Sequence, residues 1–160
     1  MAYFPLFVDL KDKPVLVIGG GLIAERRICS LLEFECKIVV VSPKITEKLE
    51  HLNKCGRIRW VNEYYSIEYL KNILPKNEQN WIFVLAAAET SVNAEVVKDC
   101  KEMEIPVNNA SKKEDCDFYF PGLIKDQEVV IGVTSGGSDH KFVAALTKRI
   151  RELVQKTWQV

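Results

Sequence analysis

Three consecutive glycines, Gly19-Gly20-Gly21, end a valine-rich run, and with Ala24 they make the spacing Gly19-x-Gly21-x-x-Ala24. This spacing suits the binding of a dinucleotide's diphosphate. Gly19 permits a tight strand-to-helix turn, Gly21 lets backbone approach a pyrophosphate, and a small residue at 24 lets helix and strand pack closely. The phosphates then sit at the positive end of the helix that begins at Leu22 and Ile23. The fingerprint alone is a weak signal; a preceding strand and a following helix supply its confirming context. An acidic partner for the adenosine ribose is expected about 20 residues on, and Ser42 stands there, followed by Pro43 and Lys44. A serine hydroxyl bonds a ribose hydroxyl less strongly than a carboxylate does. NAD is the expected cofactor, and Lys44 leaves NADP open.

Other reactive side chains are sparse. The five cysteines, Cys29, Cys36, Cys55, Cys100 and Cys116, include no C-x-x-C pair. They read as reduced, structural thiols of a cytoplasmic protein, and no metal site is expected. The two histidines are His51, on a surface helix, and His140, near a helix start.

The elements that must position these residues follow the hydrophobic pattern. Apolar, β-branched runs predict strands at 14–18, 36–41, 57–61, 81–86 and 106–108. Helical spacing predicts helices from Leu22 onward and at 45–52, 66–73 and 90–103. The alternating order predicts an α/β fold, a Rossmann-type doubly wound parallel sheet with right-handed crossovers. After Asn108 the texture changes to a polar turn at 112–115, the aromatic run Phe118-Tyr119-Phe120-Pro121, and a strand at 128–133. A final helix follows, capped by Ser138 or Asp139 and lined by Phe142, Val143, Leu146, Ile150, Leu153 and Val154. The expected organisation is a Rossmann domain over residues 1–112, a small α+β dimerisation module over 113–145, and the start of a truncated helical region over 146–160.

With these segments in order, the chain resembles the precorrin-2 dehydrogenase family, the dehydrogenase/ferrochelatase module of sirohaem synthase. The resemblance runs through Phe4-Pro5-Leu6-Phe7, the segment from Gly19 to Arg27, Val41-Ser42-Pro43, Ala86-Ala87-Ala88-Glu89-Thr90 with Asn93, and Val107-Asn108. It continues through Cys116-Asp117-Phe118-Tyr119-Phe120-Pro121 and Thr134-Ser135-Gly136-Gly137. It implies NAD-dependent oxidation of precorrin-2 to sirohydrochlorin, with Ala87 and Thr90 at the cofactor and Asn108, Ser135 and Gly136 at the substrate. It also implies a homodimer through the second module. The family's catalytic aspartate falls on Ser111, a poor general base that still orients a carboxylate or a water. His140 lies where the family has other residues; beside a polycarboxylate macrocycle it would bind a propionate or shuttle a proton. The family's helical C-terminal part is missing beyond Val160, so residual ferrochelatase activity, with poor metal insertion, is the expectation.

Composition narrows the partners. Twenty-two basic residues balance twenty-two acidic ones, which supplies no drive toward nucleic acid or membrane. No apolar run approaches the roughly 20 residues that span a bilayer. A tetrapyrrole with eight carboxylates needs local cations, and Lys112, Lys113, Lys125, Lys141, Lys148 and Arg149 cluster late in the chain. Two other readings stand beside the enzyme: a nucleotide-sensing regulatory Rossmann domain, and a relative that keeps the fold without the chemistry.

Overall fold

A computed structural model describes residues 4–72 and 80–157. The chain divides into two compact units, one of them Phe7–Phe118, the other formed by residues 119–157 with 4–6.

The first unit is built on a five-stranded sheet of β1 (Pro14–Ile18), β2 (Lys37–Val41), β3 (Arg59–Val61), β4 (Phe83–Ala86) and β5 (Val107–Asn109). All pairings are parallel, in the order β3-β2-β1-β4-β5. Helices α1 (Leu22–Leu31), α2 (Glu47–Lys54), α3 (Glu68–Asn72) and α4 (Thr90–Glu102) connect the strands. Strands covered on both faces should be apolar at every position, and β1 is buried along its whole length. Leu16, Ile18, Val39, Val41, Val84, Ala86 and Val107 pack on one side with Leu70, Trp81, Val96, Val97 and Cys100. The alternate residues Val15, Val17, Ile38, Val40 and Leu85 face the other side, where α1 and α2 bury Ala24, Ile28, Leu31 and Leu49.

The predicted strands and helices all form, with ends moved by one or two residues. The helix expected at 45–52 starts at Glu47 because Thr46 caps it, its hydroxyl accepting from the Leu49 N–H at 3.3 Å. Of the helix expected at 66–73, Ile73 lies outside the described residues.

The second unit carries an antiparallel hairpin of β6 (Gly122–Asp126) and β7 (Val129–Val133), with α5 (His140–Thr157) packed on it. β6 was not foreseen from sequence; Gly122-Leu123-Ile124-Lys125-Asp126 alternates too briefly to announce a strand. Asp139 is the cap of α5, its carboxylate accepting from the Phe142 N–H at 2.8 Å. Thr147 is buried on α5, whereas Phe142 and Leu153 are 59% and 66% exposed.

Among the described residues no helix is long and apolar enough to cross a membrane. Cys36 and Cys100 are buried in the first unit, and burial pushes their thiols up from 9.0 to about 11 and about 12. Burial favours the neutral thiol, so this contribution to stability is complete below the ordinary thiol value. It is lost as pH rises from about 9 through 11. We therefore expect stability measured by urea titration to decline across that alkaline window, and to decline less in Cys36→Ala once its own cavity cost is subtracted. An unchanged alkaline slope in that variant would contradict the assignment.

Candidate dinucleotide site

An open parallel sheet binds ligands at the carboxyl ends of its strands, where the strand order reverses. Here that switch point lies between β1 and β4. The ladder runs one step past each strand, which keeps the exits in register: Gly19 N–H to Val41 O at 2.9 Å, Ala87 N–H to Ile18 O at 2.8 Å, and Ala110 N–H to Ala86 O at 2.8 Å.

The three glycines do different work. Gly19 has φ +115°, and a β-carbon there would lie 2.3 Å from the Ala87 carbonyl oxygen. A β-carbon on Gly20 would lie 2.3 Å from the Lys44 carbonyl. Both glycines are therefore required by the protein's own packing. A β-carbon on Gly21 would meet nothing within 4 Å. Gly21 caps α1 without a side-chain hydrogen bond, and Leu22 and Ile23 at the helix start are exposed. The first amides of α1 thus face open space at the positive end of a ten-residue helix. A diphosphate fits this cradle, which a side chain on Gly21 would fill. Glu25, in the first turn, would oppose such an anion, but its carboxylate accepts from the Thr46 hydroxyl at 2.6 Å and lies 3.9 Å from Lys48 Nζ.

Ser42 is 8% exposed, and its hydroxyl donates to the Lys44 carbonyl at 2.7 Å. What it offers a ribose is an acceptor lone pair, while Pro43 and Lys44 are exposed beside it. Ala87 is half-buried at the β4 exit, and Thr90 is exposed as the first residue of α4.

A polar chain closes the β4 and β5 side. Asn93 on α4 is fully buried; its oxygen accepts from Ala88 N–H at 2.8 Å, and its amide donates to Ala88 O and Ser111 Oγ, both at 3.0 Å. Ser111 donates both its hydroxyl (2.7 Å) and its N–H (2.9 Å) to Asn109 Oδ1. Asn109 in turn donates to Asp115 Oδ2 at 3.3 Å, and Lys112 Nζ lies 3.1 Å from Asp115 Oδ1. Asn108 is buried with its amide spent on both sides, accepting from Arg27 Nη1 and donating to Phe118 O, each at 2.7 Å. Burial holds the Arg27 guanidinium below its ordinary value.

The structure thus gathers Gly19, Gly21, Leu22, Ile23, Ser42, Pro43, Lys44, Ala87, Thr90, Asn108 and Ser111 along one sheet edge. Ser135, Gly136 and His140 belong to the second unit. There Ser135 Oγ accepts from the Asp139 N–H at 2.9 Å, Gly136 is buried in a left-handed turn (φ 63°), and His140 is exposed at the start of α5. Sequence reasoning assigned no role to Arg27, Asn93 or Asn109. Asn93 left one signal, a polar residue within the apolar stripe of Val92, Val96, Val97 and Cys100. A cavity of about 480 Å³ lies elsewhere, at the starts of β2 and β3, lined by Cys36, Ile38, Arg57 and Arg59. Among the described residues no three His, Cys, Asp or Glu side chains gather as metal ligands would.

Fold and glycine turn define a Rossmann-type dinucleotide-binding protein. Residues 6–122 match the family NAD_binding_7, described as "Putative NAD(P)-binding", and the chain belongs to that family. It is 35% identical over 155 residues to the "Probable multifunctional siroheme biosynthesis protein HemA" of Ruminiclostridium josui. It is 34% identical over 158 residues to the siroheme synthase of Saccharophagus degradans. These alignments cover 96% and 98% of this chain, which spans only 29% and 32% of the two relatives. Among solved structures it is similar to SirC, a precorrin-2 dehydrogenase, with TM-score 0.68 and 26% identity over 97% of this chain and 71% of that one.

Gly21→Val should therefore abolish NAD binding, followed by fluorescence titration, while leaving the far-UV circular dichroism and the melting temperature nearly unchanged. Gly19→Ala should instead lower the melting temperature. Retained micromolar affinity in Gly21→Val would remove the diphosphate from this turn.

Proposed function

We propose that this chain is an NAD-dependent precorrin-2 dehydrogenase, oxidising precorrin-2 to sirohydrochlorin in sirohaem biosynthesis. The observation that carries the proposal is that an open glycine cradle at the β1/β4 switch point occurs in a chain aligned over 97% of its length with SirC. Bound NAD supplies the hydride acceptor. The chain's own residues hold the reactants: the first amides of α1 take the diphosphate, the Ser42 oxygen accepts from a ribose hydroxyl, and Ala87 and Thr90 flank the β4 exit. Asn108 is a positioning residue, locking α1 to the segment before Phe118 through its two 2.7 Å bonds. In the second unit the exposed His140 imidazole is available to a propionate. Ser111 has its hydroxyl proton committed to Asn109 and one lone pair committed to Asn93. Its part is to orient its neighbours. Because the cofactor is intracellular and the buried thiols stay reduced, the reading makes the protein cytoplasmic.

The test is formation of NADH, followed by its near-ultraviolet absorbance, when precorrin-2 is added with NAD. Catalysis by positioning predicts that Ser111→Ala keeps activity within about a hundredfold, at the low end of acid–base contributions. Tight NAD binding with no NADH formed would favour a sensing or non-catalytic role.

We also propose that the second unit makes a homodimer. A two-stranded hairpin with one helix is marginal by itself, and the Phe142 and Leu153 side of α5 is apolar yet exposed. Light scattering at tens of micromolar should give twice the chain mass. A monomer mass would contradict this.

A further inference from the structure

Resting on the dehydrogenase reading above, we infer that Asp115 is the proton acceptor of the reaction. Dehydrogenation removes two hydrogens. One C–H bond breaks with its electron pair, as hydride to NAD, which is reduced to NADH. A second bond to hydrogen on the substrate breaks to release a proton, and its electrons stay behind as the new double bond. That proton needs an acceptor, and a carboxylate held at the site takes it faster than water does.

Ser111 is unsuited on geometry as well as on chemistry. Its O–H points at Asn109 Oδ1 at 2.7 Å, and Asn93 Nδ2 donates to its oxygen at 3.0 Å. Asp117 is tied to the first residue of β5, its N–H donating to Val107 O and its Oδ2 accepting from the Val107 N–H, both at 2.9 Å, at the end of the strand away from the glycine turn. Glu89, the cap residue of α4, is exposed and makes no cap hydrogen bond, so the helix does not fix its carboxylate.

Asp115 has both a position and an orientation. It ends the short 3₁₀ turn Lys113–Asp115 that follows β5, and its side chain is 22% exposed. The network runs toward it in one direction. Two donors from Ser111 converge on Asn109 Oδ1, which forces the Asn109 amide to present Nδ2 to Asp115 Oδ2. Lys112 Nζ holds the other oxygen at 3.1 Å. Asn93 thereby orients Ser111, Ser111 orients Asn109, and Asn109 orients the carboxylate. The partial exposure lets the accepted proton pass on to water. Asp115 supplies the base, and Ser111 becomes a positioning residue whose loss is tolerable because its N–H still anchors Asn109.

The experiment measures NADH formation from precorrin-2 in the wild-type chain, Asp115→Asn, Asp115→Glu, Asp115→Gly and Glu89→Gln, with NAD affinity and circular dichroism recorded for each. Asp115→Asn should lower kcat by roughly a hundredfold or more, as loss of a general base does, with NAD affinity and the folded spectrum unchanged. Asp115→Glu should recover part of the rate, and added formate should restore turnover to Asp115→Gly in a saturable way, which a merely structural carboxylate would not allow. Wild-type kcat in Asp115→Asn, absence of formate rescue, or a loss found in Glu89→Gln instead would overturn the assignment. A wild-type chain that binds NAD but makes no NADH overturns the dehydrogenase reading itself, and the proton acceptor falls with it.

Discussion

The exit of β1 passes so close to the exit of β4 that no side chain fits between them. The position a Gly19 β-carbon would take lies 2.3 Å from the Ala87 carbonyl oxygen, and the backbone takes φ +115° to make the passage. Glycine reaches that conformation without the steric penalty any other residue meets. The close approach keeps β1 and β4 in register through Ala86 and on to the Ala87-to-Ile18 hydrogen bond. It also delivers Gly21 to the first turn of α1 with clear space in front of it. The cradle is thus a consequence of how two parallel strands leave the sheet. The Thr46 N–H, bonded to Gly20 O at 3.1 Å, ties the β2 exit into the same turn.

The other side of the crevice is governed by buried amides. Asn93 and Asn108 are almost completely shielded from water, where an unmet donor or acceptor costs about 1–3 kcal/mol. Asn93 bonds both backbone groups of Ala88 and the Ser111 hydroxyl, and Asn108 bonds Arg27 and Phe118, so each acts as a fixed link between elements. Asn108 joins α1 to Phe118 O, and Asn93 joins the β4 exit to Ser111. Networks of this kind allow one arrangement because a half-satisfied alternative is expensive. The carboxylate of Asp115 inherits its orientation from that requirement.

Legibility in the sequence follows the range of the interactions. β1, β2 and β4 announce themselves because both faces are buried, which demands uninterrupted apolar residues. The glycine turn is local, and its spacing reports its geometry directly. β6 is masked because it pairs only in a two-stranded hairpin and carries Gly122, Lys125 and Asp126. The Arg27–Asn108 bond joins residues 81 apart, and Asn93 meets Ser111 across 18. No local pattern encodes such pairings, so Ser111 read as a residue facing substrate although its hydroxyl is turned inward to Asn109. Ser42 read as a hydrogen-bond partner of the ribose, and no local pattern showed that its proton is already given to Lys44 O.

The central claim is that the diphosphate of NAD lies against the Gly19–Gly21 turn and the first amides of α1. Titrating isotopically labelled protein with NAD and following its backbone amide resonances tests this most directly. The account predicts that the largest shifts fall on Gly20, Gly21, Leu22 and Ile23, with smaller ones at Ala87 and Ala88. Shifts centred on Cys36, Ile38 and Arg57 at the opposite edge of the sheet, with the glycine turn unmoved, would contradict it.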